Sequence, residues 1–239
     1  MRVVPGLGAG WQGATAGEAE RLEALAGRPL PPLYHWFLSR MGRSMGPMRY
    51  PTVDFSASGI LSVYASGRVE PHPRFFLIGY EHDELSPLHY FYDLDRPARG
   101  DALVVRMLTP RDEQHPQFES LREMLAWGEL WTQRVEHATQ QCRGTLRAAD
   151  ADLHGRLAPL LRGLGFDAPV ETGPFCGLYE RADATIVCSA DPDAMSGTQS
   201  FGIGAGDGRQ LALISSAVAN EGGIEVTPSA WVPPLPPSS

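Results

Sequence analysis

Lysine is absent from this chain of 239 residues, and all 20 of its basic residues are arginine. That excludes a Schiff-base or proton-shuttling lysine, and it excludes the Lys-Ser/Thr ending of a nucleotide-binding phosphate loop. Positive charge is also in short supply. The 28 Asp and Glu residues leave a formal charge of −8, so there is no basic excess to neutralise a nucleic-acid backbone. Cysteine is limited to Cys142, Cys176 and Cys188. They are odd in number, far apart and form no C-x-x-C, which argues against a disulfide framework or zinc ribbon and fits a reducing cytoplasm. Cys176 and Cys188 can pair if their strands adjoin; buried free thiols are the other reading. No apolar run reaches the roughly 18 residues that span a bilayer, and the start of the chain lacks an apolar leader core. A soluble cytoplasmic protein with no membrane partner is expected.

What is present is an ordinary globular balance, with 43% hydrophobic and 20% charged residues, enough for one large domain or two small ones. Residues 1–15 are glycine-rich and irregular. Ala19, Leu22, Leu25 and Ala26 form a helical stripe that Gly27 stops. Pro29–Pro32 follow as a hinge, with Pro32 at the first position of a second helix. Leu33, Trp36, Phe37 and Met41 are its expected core face, and Gly42 ends it. Short strands are expected at 52–55, 74–80, 88–94 and 102–108, arranged as an antiparallel meander. Residues 59–64 fit either strand or helix. A helix from Phe118 to Trp127, extending toward Val135, closes this block with Phe118, Leu121, Met124 and Leu125 inward.

A soft boundary is read near residues 140–149. Beyond it, a helix over 150–164 contains Pro159, and strands are expected at 177–181, 185–189, 199–203 and 210–215. The chain closes in a proline-rich tail, residues 232–239, expected to be extended and solvated. No internal repeat is visible. The resulting organisation is an α+β protein: a first domain over 16–140 and a smaller α+β region over 145–231.

Four motifs suggest chemistry, and their contexts argue otherwise. Gly8, Gly10 and Gly13 fit G-x-G-x-x-G, but no strand precedes them and a proline hinge follows the helix, unlike a dinucleotide-binding βαβ unit. Gly42, Ser44 and Gly46 fit the G-x-S-x-G of a hydrolase, with Asp93 or Asp112 and His115 or His154 as nominal partners. A nucleophile elbow, however, needs a strand before the serine and a helix after it. Gly202, Gly204, Gly206 and Gly208 resemble a phosphate cradle without its Lys-Ser/Thr; Asp207-Gly208 reads as a hairpin turn before a strand. Glu81, His82, Asp83 and Glu84, with His89 nearby, form the one conceivable metal cluster, but the first four are consecutive on a loop tip and lack convergent spacing. No cofactor, metal site or catalytic residue is assigned.

The first block carries a family resemblance. Residues 18–27 look like the opening helix of the SUKH superfamily. Residues 28–38 resemble its G-x-x-L-P-x-x-Y-x-x-F-L motif, residues 76–79 its F-x-P-I-G strand, Asp93-Leu94 a strand-ending aspartate and residues 118–125 its closing helix. The resemblance spans residues 16–135, with a longer loop over 43–51 than the family pattern. It implies an antiparallel sheet with flanking helices. It also implies a non-catalytic immunity protein that binds and neutralises a bacterial toxin. The motif residues are scaffold, so the binding surface is chosen from chemistry instead: Glu81, Asp83, Glu84, Tyr90, Tyr92, Asp93 and Asp95, an acidic and aromatic hairpin suited to a basic toxin. A regulatory adaptor or effector chaperone, and a hydrolase using Ser44, are the alternatives.

Overall fold

A computed structural model of the chain describes residues 8–50, 52–83, 85, 87–149, 152–192, 197–221 and 223–233. The protein is α+β: six α-helices and three antiparallel sheets occur among the described residues. Two compact units divide the chain between Met124 and Leu125.

The first unit opens with β1 (Trp11–Gln12) and α1 (Ala16–Ala26). Thr15 and Glu18 form a reciprocal capping box, Glu18 N–H to Thr15 Oγ1 at 3.2 Å and Thr15 N–H to Glu18 Oε2 at 2.8 Å. Gly27 ends the helix at φ 65°, a left-handed cap that a side chain would strain. After the hinge, α2 (Pro32–Met41) buries Tyr34, Phe37, Leu38 and Met41. Phe37 and Met41 are buried as expected, while Tyr34 and Leu38 take the core positions expected of Leu33 and Trp36. Tyr34 enters a ring cluster, edge-on to Phe76 and Tyr92 at 5.6 Å each. Trp36 stays half-buried against Trp11, edge-on at 5.9 Å.

A two-strand ribbon joins β1 to β2 (Ser44–Met45). Next come β3 (Val53–Asp54) and α3 (Ala57–Ala65), so residues 59–64 are helical. The Ser56 hydroxyl starts α3 by accepting the Gly59 N–H at 3.1 Å. The strands β4 (Phe75–Glu81), β5 (His89–Ala98), β6 (Asp101–Met107) and β7 (His115–Phe118) follow. The sheet order β3-β4-β5-β6-β7 is the expected meander extended by a strand, β7, that was not expected. Phe118 ends a strand, while Leu121, Met124 and Leu125 are buried on the helix α4 (Leu121–Leu130). That helix begins where Asp101 Oδ2 accepts the Leu121 N–H at 2.7 Å.

In the second unit, a π turn (Trp131–Val135) continues α4. Residues read as a soft boundary are β8 (Gln140–Ala148), an inner strand paired on both sides. The elements α5 (Leu153–Gly163), β9 (Cys176–Arg181), β10 (Ala184–Ala190), β11 (Thr198–Ala205), α6 (Gly208–Glu221) and β12 (Ile224–Val232) complete it. The sheet runs β12-β8-β11-β10-β9.

One sheet face, with Tyr179, Ile186, Cys188 and Phe201, packs against Leu157, Leu161, Leu211 and Ile214 of α5 and α6. The other carries Gly202 and Gly204, which the π turn approaches closely. A side chain at Gly202 would collide with the Trp131 ring, and one at Gly204 would lie 2.9 Å from the Val135 Cα.

Residues 210–215, expected as a strand, begin α6. Asp207 caps that helix, its carboxylate accepting the Gln210 N–H at 2.8 Å. The expected Asp207-Gly208 hairpin turn is therefore a helix start. Cys142, Cys176 and Cys188 are buried and form no disulfide. Cys188 pairs with Gly177 across β9 and β10, and Cys176 with Ser189. Residues one position out of step on a pleated sheet point to opposite faces, so the two thiols do not meet. No helix among the described residues is long and apolar enough to cross a membrane.

Candidate functional site

The hairpin between β4 and β5 has a rigid base and an exposed tip. At the base, His89 Nδ1 accepts the Glu81 N–H at 3.1 Å, and the His89 ring stacks on Tyr80 at 4.3 Å. Burial drives the His89 pKa down to about 4, with the nearby Glu81 carboxylate opposing the shift. The acceptor role of Nδ1 needs the same neutral ring. Arg106 donates from Nε to the Leu88 carbonyl at 3.2 Å, places its Nη2 4.0 Å from Glu81 Oε2 and lies over the Tyr90 ring. A second tie runs to β3, where the His82 N–H donates to the Thr52 carbonyl at 2.8 Å.

At the tip the chain turns on Asp83. Its N–H donates to Glu81 Oε1 at 3.0 Å and its own Oδ1 accepts the Leu85 N–H at 2.9 Å. Neither bond covers the Asp83 or Leu85 side chain. Asp83 is exposed, and Leu85 is 96% exposed, the most exposed large apolar side chain among the described residues. Glu84 lies outside the described residues.

The structure separates the seven residues chosen from the sequence. Glu81 is 7% exposed and belongs to the hairpin base. Tyr90 packs edge-on to Tyr50 and tilts against Phe55, and Tyr92 is fully buried beside Tyr34. Asp93 is also fully buried and takes a two-pronged ion pair from Arg74, with Nε at 2.8 Å and Nη2 at 2.6 Å. The expected open aromatic patch is therefore interior. β5 is the middle strand of five, and Phe91 on its alternate face is as buried as Tyr92. Asp95 is exposed and tied to Arg28 at 2.7 Å. Only Asp83 and Asp95 of the described members face solvent, and Asp83 alone stands on the loop beside Leu85.

The catalytic motifs resolve into scaffold. Ser44 lies in the β1–β2 ribbon and its hydroxyl accepts the Gly46 N–H at 3.2 Å. A helix precedes it, so the elbow geometry is missing. Both Asp93 oxygens are taken by Arg74, and Asp112 accepts from Thr109 N–H at 2.8 Å to close its own turn. In the amino-terminal glycine motif, Gly10 and Gly46 sit back to back with positive φ and let the ribbon strands close up. Among the described residues no three His, Cys, Asp or Glu converge as a metal site.

Each unit holds a cleft of its own. One of about 470 Å³ lies in the first unit, floored by Met41, Met48 and Phe55 with Met45 beside them, and bearing Arg43 and Arg49. The other, of about 590 Å³, lies in the second unit between the π turn and the β9–β10 turn. Its arginines are engaged: Arg134 with Glu180 at 2.9 Å, and Arg181 with Asp183 at 2.6 Å. Sequence reasoning missed Leu85 and the methionine cleft. The signal for Leu85 was present, a lone apolar residue inside an acidic turn. The cleft depends on how two loops fold back and has no local signature. No protein-family model, curated protein or solved structure matches this chain.

Proposed function

We propose that this protein is a non-catalytic binding protein of the immunity type, which neutralises a cognate bacterial toxin in the cytoplasm by covering its active site. The SUKH resemblance of residues 16–135 supports the class. The observation that carries the surface is the tip of the β4–β5 hairpin, where the carboxylate of Asp83 flanks an almost wholly exposed Leu85 on a clamped base. An apolar anchor beside a negative charge is the chemistry of a small hot spot aimed at a basic rim around an apolar socket. The clamp at Glu81, His89 and Arg106 reduces the entropy lost when the tip is immobilised.

The test is growth rescue. A candidate toxin, sought in the gene's neighbourhood, is expressed in a sensitive host with the wild-type chain, with Asp83→Arg/Leu85→Glu, or with Asp95→Arg as a surface control. Rescue by wild type and by the control, lost in the hairpin variant at equal protein level, is the expected result. Rescue that survives the hairpin variant overturns the surface. Absence of rescue by the wild type overturns the class.

A further inference from the structure

In the second unit, the cavity of about 590 Å³ between the π turn and the β9–β10 turn has a polar floor. On β10, Ile186 and Cys188 point to the face covered by α5 and α6, so Thr185 points to the other. There it lies in register with Glu180 of β9 and Gly204 of β11, and the π turn closes over Gly204. Thr185 is 5% exposed and lines the cavity. Its hydroxyl bonds to no other group among the described residues. A desolvated hydroxyl in that state gains most from a ligand that hydrogen-bonds to it.

The rim offers acceptors. Arg181 is engaged toward the helix-covered face: Nε donates to Asp183 Oδ1 at 2.6 Å, Nη1 donates to the Leu164 carbonyl at 2.7 Å, and the guanidinium lies over the Phe166 ring. Arg134 Nε meets Glu180 Oε1 at 2.9 Å. Asp167, the third carboxylate, has no such cation. Its backbone is pinned to Glu180 by paired hydrogen bonds of 2.9 and 2.8 Å. Its side chain is exposed and bonds to no group among the described residues. His137 Nδ1 lies 2.6 Å from the Thr132 carbonyl, which can only accept, so Nε2 is the acceptor of the uncharged ring. These acceptors are spread out, since among the described residues no three His, Cys, Asp or Glu meet as a metal site.

We propose that this cavity binds a small organic cation of the guanidinium class, with Asp167 taking its charge at the rim and Thr185 hydrogen-bonding its polar groups at the floor. Three carboxylates face two arginines, each arginine already holding one carboxylate, so the unmatched charge is the single negative one of Asp167. That selects a monocation. A guanidinium carries five N–H donors in a fixed plane and reaches acceptors that do not converge, which a compact ion cannot. The cavity volume falls within the roughly 300–1,000 Å³ of small-molecule sites. One wall is a π turn, a helical form concentrated at functional sites. The site lies in the unit that the toxin reading does not use, and it stands or falls without a toxin.

Calorimetric titration of the full chain with free arginine, citrulline and inorganic phosphate tests the proposal. Arginine binds one to one and raises the melting temperature. Citrulline, of the same length without the charge, binds at least about tenfold more weakly, and phosphate does not bind. Asp167→Asn weakens arginine binding by about tenfold, and the near-isosteric Thr185→Val weakens it several-fold. Asp95→Asn, in the first unit, leaves it unchanged. Without ligand, Thr185→Val melts at or above the wild-type temperature, because it removes a buried hydroxyl that has no partner. A wild type that gives neither heat nor a melting shift with millimolar arginine overturns the proposal. So does citrulline binding as well as arginine, or arginine binding indifferent to Asp167→Asn. Phosphate binding in preference to arginine overturns it too, by making the rim arginines the anchor. A Thr185→Val chain that melts lower without ligand assigns the hydroxyl to the fold and overturns its place in the site. The toxin reading is untouched by any of these outcomes, because no toxin takes part.

Discussion

His89 shows how one residue sets a pH limit. Its ring is neutral in the folded protein with a pKa near 4, against about 6.5 when unfolded. Between those values the unfolded chain binds a proton that the folded chain refuses, so stability is full above pH 6.5 and falls as pH drops toward 4. The difference is up to about 3 kcal/mol. Urea denaturation at pH 7 and at pH 4.5 measures it, and His89→Asn removes this component of the slope; an identical slope in that variant refutes the assignment. The Arg74–Asp93 pair behaves differently. Asp93 is fully buried, so Arg74→Met leaves an uncompensated charge inside. The expected loss is about 3 kcal/mol in chemical denaturation, and Asp93→Asn in the same background recovers part of it. Neither role was visible in the sequence, where Asp93 read as a surface carboxylate. Alternation along β5 states which residues share a face, but does not state whether that face is covered.

Elements whose ends carry their own chemistry were legible in the sequence. Gly27, Pro32 and Gly42 bounded α1 and α2 correctly because caps and proline act within a few residues. The β4–β5–β6 meander was legible for the same reason, its aromatic and β-branched runs being separated by turn residues. Helix α6 was not, since residues 210–215 taken alone are a short apolar run that fits either period. Extending the window shows Leu211, Ile214 and Val218 buried at helical spacing. Asp207 is the element's start signal, and Asp207→Ala is expected to cost about 1 kcal/mol. A thermal melt reads that loss; no change would mean the cap is redundant. Gly202 and Gly204 before it serve packing, because the π turn occupies the space that side chains there would need.

At the scale of the whole molecule, the proposed toxin binding would divide its work between charge and shape. Composition made the −8 charge legible at once, but it could not say where negative charge is displayed. Some of it is matched by arginine within the fold, on Arg74 with Asp93 and Arg106 near Glu81, and some at the surface, on Arg134 with Glu180. Among the described residues, what remains at the hairpin tip is Asp83 beside Leu85. Long-range attraction from the acidic molecule acts before contact, so it governs the association rate and is screened at a Debye length of about 8 Å in physiological salt. Contact of Leu85 acts only after docking, so it governs dissociation. Surface-immobilised toxin and wild-type protein should therefore show an association rate that falls several-fold between about 50 and 500 mM salt with little change in dissociation. Asp83→Arg should lower the association rate and flatten that salt dependence. Leu85→Ala should leave association nearly unchanged and speed dissociation by about tenfold or more, the equivalent of losing one well-buried apolar side chain. If both substitutions act on the same rate constant, the hairpin tip is not where charge and contact meet the partner.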